Sequence, residues 1–307
     1  MLAAVFGALA AASDGRLTTD YSFVSVNYVW DADHTEAEFV ASGKYDLANN
    51  VITGVKSFGS TTFLTVPRWR PGVPSTLNTV ESSGLGSPRH SPRLRPYPSW
   101  AMNEVGNCSA LQYVQSMEVA GSTMWVIDVG RIDIVDAVPI NACPPKIVLL
   151  DLNRGGEVID SFTFPDGVAS HTESFLNDIV VDTLRDVAFI SDAGTGAIVV
   201  YDRHSRRSWR FADETTQNEP SVNFDIRGVA YGNSTFTTPS DGIALTPDRS
   251  RVVHCALQGI KLWSHDAYVL GDLSASRAQI QATQRYLGSK ASPSDGIAFA
   301  CGAWLPI

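Results

Sequence analysis

The sequence has few cysteines, no apolar run of membrane-spanning length and no excess of basic residues. Among its 307 residues, Lys and Arg together number 23 against 32 Asp plus Glu, which gives a formal net charge of -9. Duplex nucleic acids bind to basic protein faces, so this charge argues against a nucleic-acid partner and would instead attract small cations. Because no segment is long enough to cross a bilayer, we also expect no membrane partner.

The motifs of several enzyme classes are missing as well. The sequence contains no G-x-S-x-G elbow, no H-E-x-x-H pair and no P-loop, and its six histidines lack the spacing of metal ligands. Its four cysteines include no C-x-x-C pair, so neither zinc binding nor dithiol redox chemistry is indicated. We therefore expect no cofactor and no resident metal.

Several features are typical of a secreted protein. Residues 1–13, MLAAVFGALAAAS, form a short apolar run ending in small residues, as in a signal peptide. The triplets that begin at Asn107 and Asn233 are N-glycosylation sequons. We expect an extracellular glycoprotein whose mature part, residues 14–307, is a single domain.

The four cysteines are expected to be partly bridged in such a compartment. Cys108 and Cys143 flank the segment MWVIDV, and we expect them to form a disulfide. The state of Cys255 and Cys301 is open, because they could pair with each other or remain unpaired. A further possibility is that the partner of Cys255 lies beyond the end of this chain.

Short β-branched or aromatic segments bounded by turn residues recur along the chain, and they predict strands. Examples are KIVLLDL, VAFISD, AIVVYD, GIALTP and RVVHCAL, whereas only SASRAQIQATQRYL indicates a helix. Many short strands at close spacing are typical of a sandwich, a barrel or a propeller.

A repeat favours the propeller. The segments NDIVVDTLRDVAFISD, SDGIALTPDRSRVVHCAL and SDGIAFACGAWL, and more loosely QSMEVAGSTMWVID, each contain a polar residue, an apolar strand, a turn and a second apolar strand. They recur about every 55 to 65 residues, which fits blades that carry loops. The predicted fold is therefore an all-β propeller.

Four polar residues occupy the equivalent position at the start of these repeats: Gln115, Asn177, Asp241 and Asp295. The first strand of a propeller blade lines the central channel, so side chains at its start would converge there into a small-molecule or cation site. The alternative is that Asn and Asp only cap the turns before the strands, since PSDG is a strong turn signal.

The chain resembles the yellow and major royal jelly protein family. The resemblance is carried by FLTVPRWRPGVPSTLNTV, CSALQYVQSMEVAGSTMWVIDVGR, SFLNDIVVD, AFISDAGTGAIVVYDRHSRRSWRF and SDGIALTPD, in order along the chain. It implies a secreted six-bladed propeller. Some members bind biogenic amines in the channel, some convert dopachrome during melanin formation, and others are nutrient or structural proteins.

The end of the chain departs from the family pattern. After SDGIAFA a typical member continues through most of a further blade or more, whereas this sequence stops at CGAWLPI. We therefore expect the propeller to be truncated in its last blade or blades.

The resemblance and the acidic positions together predict an amine ligand. A carboxylate of Asp241 or Asp295 would pair with the ammonium group and Phe175 would stack on the aromatic ring, with Gln115 and Asn177 completing the site. One alternative is a dopachrome-converting isomerase, whose catalytic base the sequence does not identify. A second is a calcium-dependent lactonase-like hydrolase with Asn177, Asp241 and Asp295 as calcium ligands, although no channel Glu is evident.

Overall fold

The protein is described from a computed structural model, which covers residues 20–81, 89–136, 138–223, 225–226, 229–230, 238–300 and 303–306. Among these residues, strands are much more frequent than helices. The predicted signal peptide, Cys301 and the sequon at Asn233 lie outside the described residues.

Four antiparallel sheets of four strands form the body of the structure, and each uses a consecutive stretch of chain. The first contains β2 (Val55–Phe58), β3 (Thr61–Thr65), β4 (Leu77–Glu81) and β6 (Arg95–Pro96). The second contains β7 (Val114–Ala120), β8 (Thr123–Asp128), β9 (Lys146–Asp151) and β10 (Glu157–Thr163). The third contains β11 (Leu176–Asp182), β12 (Val187–Asp192), β13 (Ala197–Asp202) and β14 (Arg207–Phe211). The fourth contains β17 (Ser240–Leu245), β18 (Arg251–Ala256), β19 (Lys261–Asp266) and β20 (Arg285–Ser289).

Three shorter strand pairs and three short α-helices accompany these sheets within the described residues. The pairs are β1 (Tyr21–Ser22) with β5 (Arg89–His90), β15 (Asp225–Ile226) with β16 (Val229–Ala230), and β21 (Ile297–Ala300) with β22 (Ala303–Pro306). The helices are α1 (Glu36–Ala41), α2 (Ala267–Leu270) and α3 (Arg277–Ala282). Successive four-stranded blades of this kind are the all-β propeller fold that the repeat predicts.

One helix prediction is only half right. SASRAQIQATQRYL begins as a helix, because Ser276 and Gln279 form a capping box at the start of α3. The helix ends at Ala282, and Arg285 to Ser289 pair with β19 as the outer strand of the fourth blade. The available edge of β19 thus decides the conformation of the second half of this segment.

The chain divides into two compact units. The first comprises residues up to Pro144 together with Val148–Ser161, and the second comprises Pro145–Ile147 and the residues from Phe162 onward. Each unit has its own apolar core. In the first unit the largest fully buried side chain is Trp125, and Tyr28, Leu77 and Met117 are also buried. In the second unit Phe189, Ile198, Val200 and Leu270 pack in one cluster.

The first strand of three blades carries the same irregularity. The pairing register shifts between Val114 and Met117 in β7, between Leu176 and Ile179 in β11, and between Ser240 and Ile243 in β17. A bulge of this kind adds a residue to one strand and re-aims its side chains. The residues inside the three shifts include Gln115, Asn177 and Asp241, so the structure gives these sequence-equivalent positions the same local conformation.

A buried aspartate at the end of the second strand fixes the approach to the first strand. In the third blade, Asp192 accepts hydrogen bonds from the backbone N–H of Phe175 and the hydroxyl of Ser174, at 2.8 and 2.7 Å. In the second blade, Asp128 accepts from the N–H groups of Gln112 and Tyr113, both at 2.8 Å. These carboxylates hold the segment just before each inner strand.

The predicted Cys108–Cys143 disulfide is present, with the two Cα atoms 5.3 Å apart. It joins the loop before β7 to the loop before β9. No helix among the described residues has both the length and the apolar character that a membrane span requires.

Candidate functional site

The candidate site lies in the second unit, where the bulges of β11 and β17 and the segment before β21 bring four polar side chains together. Asn177 and Asp241 are buried, Asp178 is half-buried, and Asp295 is exposed. The site therefore combines two buried side chains, Asn177 and Asp241, with the solvent-exposed carboxyl group of Asp295.

Ser191 of β12 ties the two bulges to each other. Its hydroxyl accepts a hydrogen bond from the backbone N–H of Asp178 at 3.0 Å and donates one to the backbone carbonyl of Asp241. The side-chain amide of Asn177 donates to Oδ1 of Asp241. Strands β11 and β17 are thus linked in two ways. The Ser191 hydroxyl joins their backbones, and the side chains of Asn177 and Asp241 are hydrogen-bonded to each other.

Gly242 allows the segment that carries Asp295 to approach β17. A Cβ atom at this position would lie 3.0 Å from the carbonyl oxygen of Asp295 and 3.2 Å from Sγ of Cys255. A side chain at position 242 would therefore be tightly packed against this segment, which would have to move by a few tenths of an ångström to admit it.

Asp241 is the most strongly perturbed carboxyl group in the site. Burial raises its pKa well above the ordinary range, and the nearby charges of Asp295 and Asp178 raise it further. As a carboxylate, its Oδ2 is buried and has no hydrogen-bond donor among the described residues. As an acid, it can donate its proton to the carboxylate of Asp295. The pair is therefore arranged to share one proton.

Lys290 supplies a positive charge that acts on Asp241. Its buried ammonium group donates to the carbonyl oxygens of Ala256 and Ser294, each at 3.0 Å, and contacts Sγ of Cys255 at 3.4 Å. Its charge lowers the pKa of Asp241, but less than burial and the two acidic neighbours raise it. Lys290 thus holds the chain that leads to Asp295 in place and offsets part of the negative charge.

For two residues of the predicted site, Gln115 and Phe175, the structure shows the local contacts but does not test the predicted role. Gln115 is in the first unit, where its side-chain oxygen accepts a hydrogen bond from the hydroxyl of Tyr113 at 3.0 Å. Its convergence with the other three stays a prediction. Phe175 is half-buried one residue before β11, with its backbone N–H held by Asp192 at 2.8 Å. Its stacking role also stays a prediction.

Three contributors were not among the sequence-predicted site residues: Asp178, Ser191 and Lys290. Asp178 could have been found from its position beside Asn177, since an Asn-Asp pair at the mouth of an apolar strand is unusual. Ser191 lies on the strand next to β11, 13 residues from Asp178, and Lys290 precedes Asp295 along the chain; the sequence does not show that either side chain meets the site. Within the described ranges, no group of three or more His, Cys, Asp or Glu side chains has the arrangement of a metal site.

The fold and the site define an all-β propeller with a cluster of carboxyl groups at the start of its inner strands. Residues 120–291, more than half of the chain, match the family model described as "Major royal jelly protein". The chain belongs to the major royal jelly protein family, which confirms the resemblance carried by its motifs.

The relatives that the chain resembles are considerably longer. It is 28% identical over 242 residues to "Protein yellow" of Drosophila guanche, an alignment that covers 76% of this chain and 42% of that protein. It is 30% identical over 204 residues to "Protein yellow" of Drosophila melanogaster, covering 64% of this chain and 37% of that protein. The chain thus spans about two fifths of the curated relatives that it matches.

Solved structures resemble the chain more distantly. A crystal structure of a nidogen/laminin complex overlaps 84% of this chain and 72% of its own, with 10% sequence identity and a TM-score of 0.46.

Proposed function

We propose that the chain binds a small molecule with an ammonium group and an aromatic ring, such as a biogenic amine, at the site of Asn177, Asp241 and Asp295. The observation that carries this proposal is the buried Oδ2 atom of Asp241, which has no donor among the described residues and faces a second carboxylate. An acceptor in this state needs either a proton or a cationic donor from outside the chain.

An ammonium group fits this requirement in charge and in hydrogen bonding. It offers three N–H donors, enough to serve Oδ2 of Asp241 and the carboxylate of Asp295 together. The half-buried Asp178 adds negative charge from the facing strand. A simple anion would be repelled by those carboxyl groups that carry a charge, so the site favours cations. The exposed Asp295 provides the entrance, and Phe175 would stack on the ring.

The proposal is tested by calorimetric titration of the 307-residue chain with serotonin and dopamine. Asp241→Asn removes the charge with little change in volume and keeps an acceptor for Asn177. We expect affinity to fall about ten- to a hundredfold, because one charge-assisted hydrogen bond contributes roughly 1.5 to 3 kcal/mol. Asp33→Asn removes the same charge from an exposed position in the first unit and should leave affinity unchanged. Equal affinity of the wild type and the Asp241 variant would reject this site.

A second candidate function, proton-transfer isomerisation of dopachrome, is favoured by the raised pKa of Asp241. A carboxyl group whose pKa is raised by burial can act as a general acid in its protonated form and as a general base in its ionised form. Such an enzyme would accelerate dopachrome decay without added metal, and Asp241→Asn would reduce that rate by about a hundredfold or more. Turnover that instead requires calcium would favour the lactonase-like alternative. Amine binding ranks first because it requires only the acceptors already in place.

We also propose that the chain is a secreted glycoprotein. The Cys108–Cys143 disulfide supports an oxidising compartment. Asn107 is exposed beside it, as a glycosylated asparagine must be. Expression in secretory cells should give a glycosidase-sensitive product in the medium, and Asn107→Gln should reduce its mass by one glycan. Recovery of unglycosylated protein only inside the cells would contradict this proposal.

A further inference from the structure

A pair of histidines is buried between the middle strands of the fourth blade. His254 of β18 and His265 of β19 are both fully buried, and Nε2 of His254 lies 3.1 Å from Nδ1 of His265. The two rings are nearly parallel, with an angle of 13° between their planes. This hydrogen bond needs one ring nitrogen that carries a proton and a facing ring nitrogen that does not, so it can form while both rings are neutral.

The other two ring nitrogens have no hydrogen-bond partner in the part of the chain that the structure describes. Nδ1 of His254 and Nε2 of His265 are buried without a hydrogen bond to any described residue. The edge of the His265 ring is covered by Phe211 of β14, at 5.0 Å between ring centroids. An added proton would therefore sit on a buried nitrogen that has no acceptor among the described residues.

The charged groups around the pair do not compensate for such a proton. Asp213, which follows β14, acts on His265 and favours its charged form, while Arg251 of β18 disfavours it. The Asp213 carboxylate is already occupied by Thr215 and by the side-chain amide of Gln281 from α3. Among the described residues, His265 is the titratable group that acts on His254. A charge on His265 lowers the pKa of His254 and so disfavours a second charge in the pair.

We propose that the His254–His265 pair is an acid-sensitive latch, which holds β18 to β19 while both rings are neutral and opens the fourth blade when either ring gains a proton. His254 is paired with Ile243 of β17, two residues after Asp241. Opening would therefore also disturb the candidate site, so acid would release its ligand. This last consequence rests on the proposed function, whereas the latch itself does not.

The direction of the pH effect follows from the two histidines. Burial lowers the pKa of His254 well below its ordinary value and that of His265 to about 4. Between that value and the unfolded pKa of about 6.5, the unfolded chain binds more protons than the native chain. The free energy of unfolding therefore falls as the pH falls through this window.

Urea unfolding of the full chain at pH 7 and pH 5 tests the latch. One histidine with these two pKa values makes unfolding about twentyfold more favourable at pH 5 than at pH 7. His254→Leu/His265→Phe removes both titrating rings and keeps an aromatic contact with Phe211, so at least this twentyfold component should disappear. His204→Gln, at an exposed turn, should retain it. An equal pH effect in the double variant and the wild type would overturn the proposal.

A second measurement uses the unmodified protein, in case the double variant does not fold. Ring nitrogens labelled with ¹⁵N report whether each histidine is charged, and amide hydrogen exchange reports opening of β18 and β19. We expect both rings to stay neutral in native molecules at pH 5, with protection lost first in these two strands. A charged His254 or His265 in a fully protected fold would overturn the latch. Neither readout involves a ligand, so failure of amine binding would leave the result intact.

Discussion

Arg68 illustrates how a single residue can organise several loops. Its guanidinium is fully buried, and its five N–H donors are all directed to backbone carbonyls, those of Val73, Pro74, Asn103, Leu111 and Gln112. Burial lowers the pKa of Arg68 to about 10, with Asp128 and Tyr28 partly opposing this effect. The arginine remains charged at neutral pH and replaces the hydrogen bonds that water would otherwise give these loops.

Arg68→Lys should therefore destabilise the protein strongly although it keeps the charge. A lysine has three donors on a compact ammonium group, so it leaves at least two buried carbonyls without a partner. We expect the free energy of unfolding to drop by roughly 3 kcal/mol, since each unsatisfied group costs about 1 to 3 kcal/mol. Urea denaturation measures this change. Arg70→Lys, at an exposed position, is the matched control and should stay within about 0.5 kcal/mol of the wild type.

At the scale of single residues, the sequence predicts which residues belong to the candidate site better than it predicts their burial and their pKa values. The positions of Asn177, Asp241 and Asp295 follow from the repeat, and the Cys108–Cys143 bridge was also predicted and is confirmed. The raised pKa of Asp241 could not be predicted, because it depends on burial and on charges from separate segments. The role of Arg68 in holding several loops together could not be predicted for the same reason, because its hydrogen-bond partners come from three different loops.

At the scale of elements, aspartates at strand ends order the third blade. Asp182, Asp192 and Asp202 end β11, β12 and β13, and each accepts a hydrogen bond from an N–H group of the following turn. Asp182 and Asp192 are both buried, and the Asp192 carboxylate also accepts hydrogen bonds from Ser174 and Phe175. The same residue type thus serves an ordinary turn at two positions and the approach to the candidate site at the third.

Asp192→Ala should cost more stability than Asp202→Ala, because the Asp192 carboxylate is buried and holds the segment before β11. Its loss leaves the buried hydroxyl of Ser174 and the half-buried N–H of Phe175 without their acceptor, and we expect a cost of about 3 kcal/mol. Asp202 makes similar turn hydrogen bonds at a solvent-accessible site, where a cost of about 1 kcal/mol is expected. Thermal and urea unfolding of the two variants measure the difference. Equal losses would show that Asp192 is no more than a turn cap.

The strands themselves were largely predictable, because apolar segments bounded by turn residues are a local signal. The bulges in β7, β11 and β17 were not, since alternation of polar and apolar residues cannot show where pairing shifts by one residue. Helix α3 was predicted too long because the free edge of β19 competes for the residues after Gln284. These errors arise where pairing between distant segments overrides local propensity.

At the scale of the whole molecule, family membership follows from both the motifs and the match over residues 120–291. The four-stranded blades confirm the propeller class. The number of blades and the convergence of Gln115 with the second-unit residues remain predictions. The relatives are more than twice the aligned length, so the activities of the full-length proteins come to this chain only as proposals.

Proton release on amine binding is the most direct test of the proposed site. The raised pKa of Asp241 means that the free site retains a proton to a higher pH than an ordinary aspartate. An incoming ammonium must displace that proton, so affinity should increase as the pH rises towards the pKa of Asp241. Titration calorimetry in two buffers with different ionisation enthalpies counts the protons released. Below that pKa we predict close to one proton per amine for the wild type and none for Asp241→Asn. Tight binding without proton release, or equal release from both proteins, would contradict the assignment of Asp241 as the ammonium partner.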